Sequence, residues 1–148
     1  SDCRAIDFLS MAGISPWGVD HNIEIWVVYR PYPIRVAGNS GYLRGETTWS
    51  TLELEPEYTT VTKKMRRVGT WDAGLARSAL IANGGPSPFV KIALTMADQL
   101  DPTVAGSIST TVLQHSTPVY EFVRQIESDL SSRVQLIGTS PSTVCDLR

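Results

Sequence analysis

Thr117-Pro118-Val119-Tyr120-Glu121-Phe122-Val123-Arg124-Gln125-Ile126-Glu127-Ser128-Asp129-Leu130 is the strongest helical pattern in the sequence. Thr117 suits an N-cap, and Pro118 suits the first helical position, where a missing N–H costs nothing. Val119, Phe122, Val123, Ile126 and Leu130 fall on one apolar stripe, while Glu121, Arg124, Glu127 and Asp129 cover the rest of the surface. A helix with one apolar stripe needs a second layer to bury it.

Upstream, that layer reads as a sheet. Residues 23–30 make the first strand, with Ile23, Ile25, Val27 and Tyr29 on one face and Trp26 and Val28 making the other partly apolar. Pro31 and Pro33 end it, and Gly38-Asn39-Ser40-Gly41 reads as a turn after a short extended piece. Residues 47–55 alternate, Pro56-Glu57 breaks them, and residues 58–68 read as a returning strand. Residues 73–82 suit either a strand or a short helix capped by Asp72. Beyond the turn Asn83-Gly84-Gly85-Pro86, residues 89–96 and the Ser/Thr-rich residues 107–114 complete the strands, and 131–148 is a looser tail.

The expected fold class is therefore α+β: an antiparallel sheet of about five to seven strands with the amphipathic helix packed on one face. The 148 residues fit a single domain, 1–148. Within it, 1–20 is an irregular N-terminal segment, 23–114 is mainly β, 117–131 is the helix and 132–148 is the tail. With 42% apolar and 19% charged residues, the composition is that of an ordinary globular chain. The net charge of −2 excludes a polycation, so contact with nucleic acid needs a local basic surface. No apolar run is long enough to cross a bilayer, and residues 1–4 begin no uncleaved signal peptide.

Candidate chemistry is sparse. Gly38-Asn39-Ser40-Gly41 has a faint likeness to the surroundings of a serine nucleophile, with His21 as a conceivable base, but nothing in the sequence fixes a third group. His21 and His115 lack metal-ligand spacing, no glycine motif cradles a phosphate, and no cofactor is implied. Cys3 and Cys145 stand at opposite ends of the sequence. They are compatible with an intrachain bridge, two free thiols or a bridge between subunits. Lys63-Lys64-Met65-Arg66-Arg67 is more informative. On a strand, Thr62, Lys64 and Arg66 share a face, and Lys91 and Thr95 lie on the polar face of theirs. Together they would form either a surface for phosphates and 2′-hydroxyls or a solvated face salted against nearby glutamates.

From residue 47 onward, the order of elements resembles that of the coat proteins of small single-stranded RNA bacteriophages, the leviviruses. The matching parts are the turn at 83–86, the strand 89–96, the loop 98–106, the strand 107–114 and the helix 118–130. The resemblance implies a sheet extended by dimerisation, self-assembly into a shell, and genomic RNA held on the inner face. Thr62, Lys64, Arg66, Lys91 and Thr95 would face that RNA, and residues 98–106 would make symmetry-axis contacts. It further implies a structural protein with no enzyme activity, located in a virion assembled in the host cytoplasm. Its partners would be itself and RNA, with neither a membrane nor a small-molecule cofactor. The competing expectations are a secreted or periplasmic binding module stapled by Cys3–Cys145 and a small hydrolase.

Overall fold

A computed structural model of the chain describes residues 4–15 and 23–148. Its elements are α1 (Ala5–Met11), β1 (Ile25–Tyr29), β2 (Ile34–Arg35), β3 (Glu46–Thr47), β4 (Arg67–Gly69), α2 (Ala73–Ala82), β5 (Val90–Leu94), α3 (Thr110–His115), α4 (Thr117–Leu130), β6 (Val134–Ser140) and β7 (Thr143–Asp146). Two 3-10 turns, Ala97–Gln99 and Pro102–Val104, follow β5. The α+β class holds.

The sheet differs from the expected antiparallel one of five to seven strands. A four-stranded mixed sheet runs β1-β5-β6-β7, with β1, β5 and β6 parallel and β7 antiparallel, and a three-stranded antiparallel sheet runs β2-β4-β3. The cause lies in the strands themselves. In β1 and β5 both faces are largely apolar, the composition of a strand covered on both sides. Parallel neighbours also need a crossover, which α2 supplies between β1 and β5, and α3 and α4 between β5 and β6.

Four element assignments change. Residues 107–114 hold no strand: Ser109 Oγ accepts from Val112 N–H at 3.4 Å and starts α3, whose Leu113 is buried. Local capping and one core contact outweigh the β-branched content. The tail is the hairpin β6–β7, drawn in by Val134, Ile137 and Cys145, each at most 4% exposed. Residues 47–55 and 58–68 contribute only the short β3 and β4. Between them the chain turns, with Thr48 Oγ1 accepting from Thr51 N–H at 3.1 Å and Glu53 left-handed at φ 55°. In the N-terminal segment, Ala5–Met11 is helical and its Ala5 N–H donates to Asn83 Oδ1 at 2.8 Å.

One apolar cluster lies between the mixed sheet and α2, α3 and α4. The α4 stripe faces it: Val119, Ile126 and Leu130 are buried, with Phe122 and Val123 packed against them. Ser116 stands at the α4 N-cap position in place of Thr117, and its hydroxyl turns away to Asp101. Asp72 caps α2, its carboxylate accepting from Gly74 and Leu75 N–H, which decides residues 73–82 for helix. Trp71 sits edge-on between Tyr29 and Phe122, with centroids 5.7 and 5.5 Å away, and donates from Nε1 to Asp129 at 2.8 Å.

Candidate functional site

The carboxyl ends of parallel strands are where α/β sheets open to ligands, because the chains leaving them diverge. Here β1 and β5 finish side by side. Thr95 N–H and Oγ1–H both donate to the Tyr29 carbonyl, at 2.8 and 3.1 Å. Beyond that tie, Arg30-Pro31 leads into the small sheet. Met96 takes a left-handed conformation, φ 60°, and turns β5 into the 3-10 segment Ala97–Gln99. A left-handed methionine is strained, and such strain gathers at functional positions.

Arg30 occupies the divergence. Its guanidinium is held bidentate by the Glu57 carboxylate, Nη1 to Oε2 at 3.2 Å and Nη2 to Oε1, and Nη2 also reaches Gln99 Oε1 at 3.5 Å. The side chain is 18% exposed, and Nε is buried with no acceptor among the described residues. A buried donor left unpaired costs about 1–3 kcal/mol. Glu57 thus balances the Arg30 charge, and one buried guanidinium donor is left without a partner among the described residues.

Glu57 begins a tight loop over the same end of the sheet. Arg66 N–H donates to the Glu57 carbonyl at 2.8 Å, and Tyr58 bridges Met65. Inside, Thr59 accepts twice, its carbonyl from Lys63 N–H at 3.1 Å and its hydroxyl from Lys64 N–H at 3.0 Å. Lys63 is left-handed at φ 52°. The loop thus exposes Thr60, Thr62, Lys63 and Lys64 while its base is fixed by the Arg30–Glu57 pair.

On the β5–β6 side, Asp101 organises the turn after Asp98 and Gln99. It accepts from Thr103 N–H at 2.9 Å, Thr103 Oγ1 at 2.7 Å and Ser116 Oγ at 2.5 Å, and these donors hold its pKa below the usual carboxylate value. The buried Thr139 donates from Oγ1 to the Ser107 carbonyl at 2.8 Å, tying the end of β6 to the same turn. Fixed donors, cations and hydroxyls around a strand-end crevice suit binding of phosphate or carboxylate. Among the described residues no group of three His, Cys, Asp or Glu could hold a metal.

The five residues expected to form one basic sheet face do not do so. Thr62 and Lys64 lie on the loop, Arg66 lies just before β4, Lys91 is in β5, and Thr95 follows directly after that strand. Alternation fails for residues 59–64 because main-chain and hydroxyl bonds fold them into a turn. Cys145 is a buried free thiol donating to the Ile108 carbonyl at 3.3 Å, and burial pushes its pKa up; Cys3 lies outside the described residues. Ser40 Oγ donates to the Val36 carbonyl at 2.6 Å and accepts from Arg67, while His21 lies outside the described residues. Sequence reasoning missed Arg30, Gln99 and Asp101. A cation directly after an apolar strand and before Pro31 was the signal for the first.

No family model matches the chain. It is 33% identical over 153 residues to the adenylosuccinate synthetase of Methanococcus vannielii, covering 99% of this chain and 41% of that protein. With the Archaeoglobus fulgidus adenylosuccinate synthetase it is 33% identical over 152 residues, covering 99% and 42%. A solved structure of the cyanophage S-2L succinoaminodeoxyadenylate synthetase (PurZ), bound to dGMP and to dATP as an energy donor, superposes with a TM-score of 0.71. That match is at 27% identity and covers 98% of this chain and 39% of that one.

These matches overturn the coat-protein expectation, and with it the capsid assembly, the RNA partner, the virion location and the absence of enzyme activity. They give no support to a stapled binding module or a hydrolase either. The levivirus resemblance rested on element order, and two of its matched parts fail: residues 107–114 hold no strand and run into α3, and β5 pairs in parallel. Along nearly its whole length this chain is similar to purine-nucleotide synthetases, and it spans about two-fifths of the length of the relatives it matches.

Proposed function

We propose that this chain forms part of a purine-nucleotide synthetase, an enzyme that uses a nucleoside triphosphate to join a succinate-bearing amine to a purine nucleotide. The observation that carries the reading is the meeting of the β1 and β5 ends, where Arg30 is clamped by Glu57 and Gln99 at the base of a loop that carries exposed hydroxyls and ammonium groups. In this reading Arg30 and Lys64 hold anionic oxygens of the substrates, phosphate or carboxylate. The hydroxyls of Thr60 and Thr62 orient them. Asp98 and Gln99 offer side chains to polar groups of a ligand beside β5. Glu57 is a positioning residue that fixes Arg30.

We also propose that residues 1–148 act as one unit of that enzyme, a reading supported by the single apolar cluster that runs from Val27 to Cys145.

The test is titration of the isotopically labelled chain with dGMP and with dATP, followed by NMR. Shifts confined to Arg30, residues 58–66 and residues 95–101 are expected, and Arg30→Ala should remove them while the α4 signals stay in place. Saturable shifts located elsewhere, or none at millimolar nucleotide, would overturn the reading.

A further inference from the structure

At the opposite end of the mixed sheet, α4 and β6 flank a second opening. Helix α4 runs back across the sheet, so its last turns stand beside the start of β6, at the amino end of the parallel strands and away from Arg30. Glu127 marks the junction: its Oε1 accepts from Val134 N–H at 3.2 Å, and its Oε2 meets Arg124 Nη1 at 3.5 Å. Beyond β7, Leu147 N–H donates to the Gln135 carbonyl at 2.8 Å, which brings residue 147 to the same place.

Along α3, α4 and these residues runs a groove of about 550 Å³. Sites for small molecules commonly have volumes of about 300–1,000 Å³. Its floor is apolar: Leu113, Val119 and Ile137 are at most 3% exposed. Its rim is not. Tyr120, half exposed, lines it and pairs with no other ring among the described residues, and the exposed Gln114 adds an amide. Arg124, Glu127 and Arg133 are the charged side chains that line it. Both Glu127 oxygens are committed, one to Val134 N–H and one to Arg124. Arg133, half-buried, has no ion pair or side-chain hydrogen bond among the described residues. Two guanidiniums therefore stand against one carboxylate, and one positive charge is left unbalanced beside an apolar floor.

We propose that this groove binds a small organic anion with a flat ring, the chemistry shared by nucleoside monophosphates and aryl carboxylates. The ring lies over the apolar floor and against Tyr120, where area burial and aromatic contact both favour it. The anionic group meets Arg133, whose planar fork of donors matches the oxygens of a phosphate or carboxylate, and Arg124 adds a second cation. Gln114 offers a donor and an acceptor to the polar edge of the ring. A ligand here touches none of the residues around Arg30, so the site is separate from the crevice assigned to the substrates. It contacts both α4 and the β6–β7 end of the sheet, and its occupancy ties the helix to that end.

The test titrates the isotopically labelled chain with AMP and, separately, with 4-hydroxybenzoate, each followed by NMR. Saturable shifts at Tyr120, Arg133, Val134 and Leu147 are expected with at least one of the two. Shifts with AMP alone assign the anion as a phosphate, and shifts with 4-hydroxybenzoate alone assign it as a carboxylate. Arg133→Gln should weaken the binding about tenfold or more, the loss of one charge-assisted hydrogen bond. Arg124→Gln, at a side chain 68% exposed, should weaken it in the same direction and serves if the first variant fails to fold. The uncharged counterparts, adenosine and 4-hydroxybenzamide, should bind more weakly than the anions by a similar factor. Arg30→Ala should leave the groove shifts in place, so the two sites can fail independently. No groove shift with either anion at millimolar concentration overturns the proposal. So does binding that both arginine variants leave intact, or equal binding of charged and uncharged probes.

Discussion

Ile92, Leu94, Ile126 and Ile137, from the layer under α4, are at most 2% exposed, and no directed polar bond fixes their side chains. The small sheet is held differently. Around its buried Val68, Leu43 and Trp49 it carries several polar ties: Arg67 to Glu46 at 2.6 and 2.7 Å, Arg35 to the Ser40 carbonyl at 2.7 Å, and Trp49 Nε1 to the Arg66 carbonyl at 2.7 Å. Strands of two or three residues bury less than the long ones, so individual bonds share in defining their shape. Apolar burial tolerates small movement, whereas polar ties fix angles. The region that borders the crevice is the one built from fixed angles.

Breaking the first region should have the largest effect. Ile126→Ala truncates a fully buried side chain and should cost about 2–5 kcal/mol in denaturant unfolding. A loss under 1 kcal/mol would show that α4 can collapse onto the gap. Gly85→Ala is next. Its Cβ would lie 2.6 and 2.8 Å from Leu80 Cδ1 and Cγ, inside the same core. Overpacking of this kind should cost about 1–3 kcal/mol, and thermal melts compared with wild type will read it. Trp49→Phe keeps an aromatic ring but deletes the Nε1 bond and part of the buried volume, with an expected cost of about 1–3 kcal/mol. The comparison sharpens here: exchange should accelerate at residues 46–49 and 66–69 while β5 amides stay protected. Uniform acceleration would mean that the two regions unfold together.

The smallest effect is in pH. The pKa of Asp101 in the folded chain lies below its ordinary 3.8, because Ser116 and Thr103 donate to its carboxylate. Its contribution to stability is therefore complete above pH 3.8 and is lost as pH falls through the lower, folded value. Asp101→Asn should flatten the fall in stability across that acid window and leave the slope near neutrality unchanged.

The same contrast decides what the sequence made legible. Helix α4 was readable because its stripe is a burial pattern, and β1 and β5 were readable as apolar runs. Their parallel pairing was not, because pairing depends on what lies between strands, and residues 73–82 fitted helix or strand equally until Asp72 was seen accepting from Gly74 and Leu75. The basic run at 63–67 was seen, but its shape was misread. The turn depends on Thr59 main-chain and hydroxyl bonds and on a left-handed Lys63, neither of which leaves a periodic trace. Arg30 stood at the end of a correctly found strand, yet its partners Glu57 and Gln99 lie 27 and 69 residues away.

The strand order also governs when the chain can fold as it leaves the ribosome. β1, made first, has β5 as its neighbour, and β5 in turn has β6, whose last residue is Ser140. Trp71 waits for Asp129 in the same way. Non-local parallel pairing of this kind is slow and costs loop-closure entropy before any contact repays it. Until Val134–Ser140 has emerged from the exit tunnel, β5 lacks its β6 partner, an interval in which an unpaired apolar strand edge is open to aggregation.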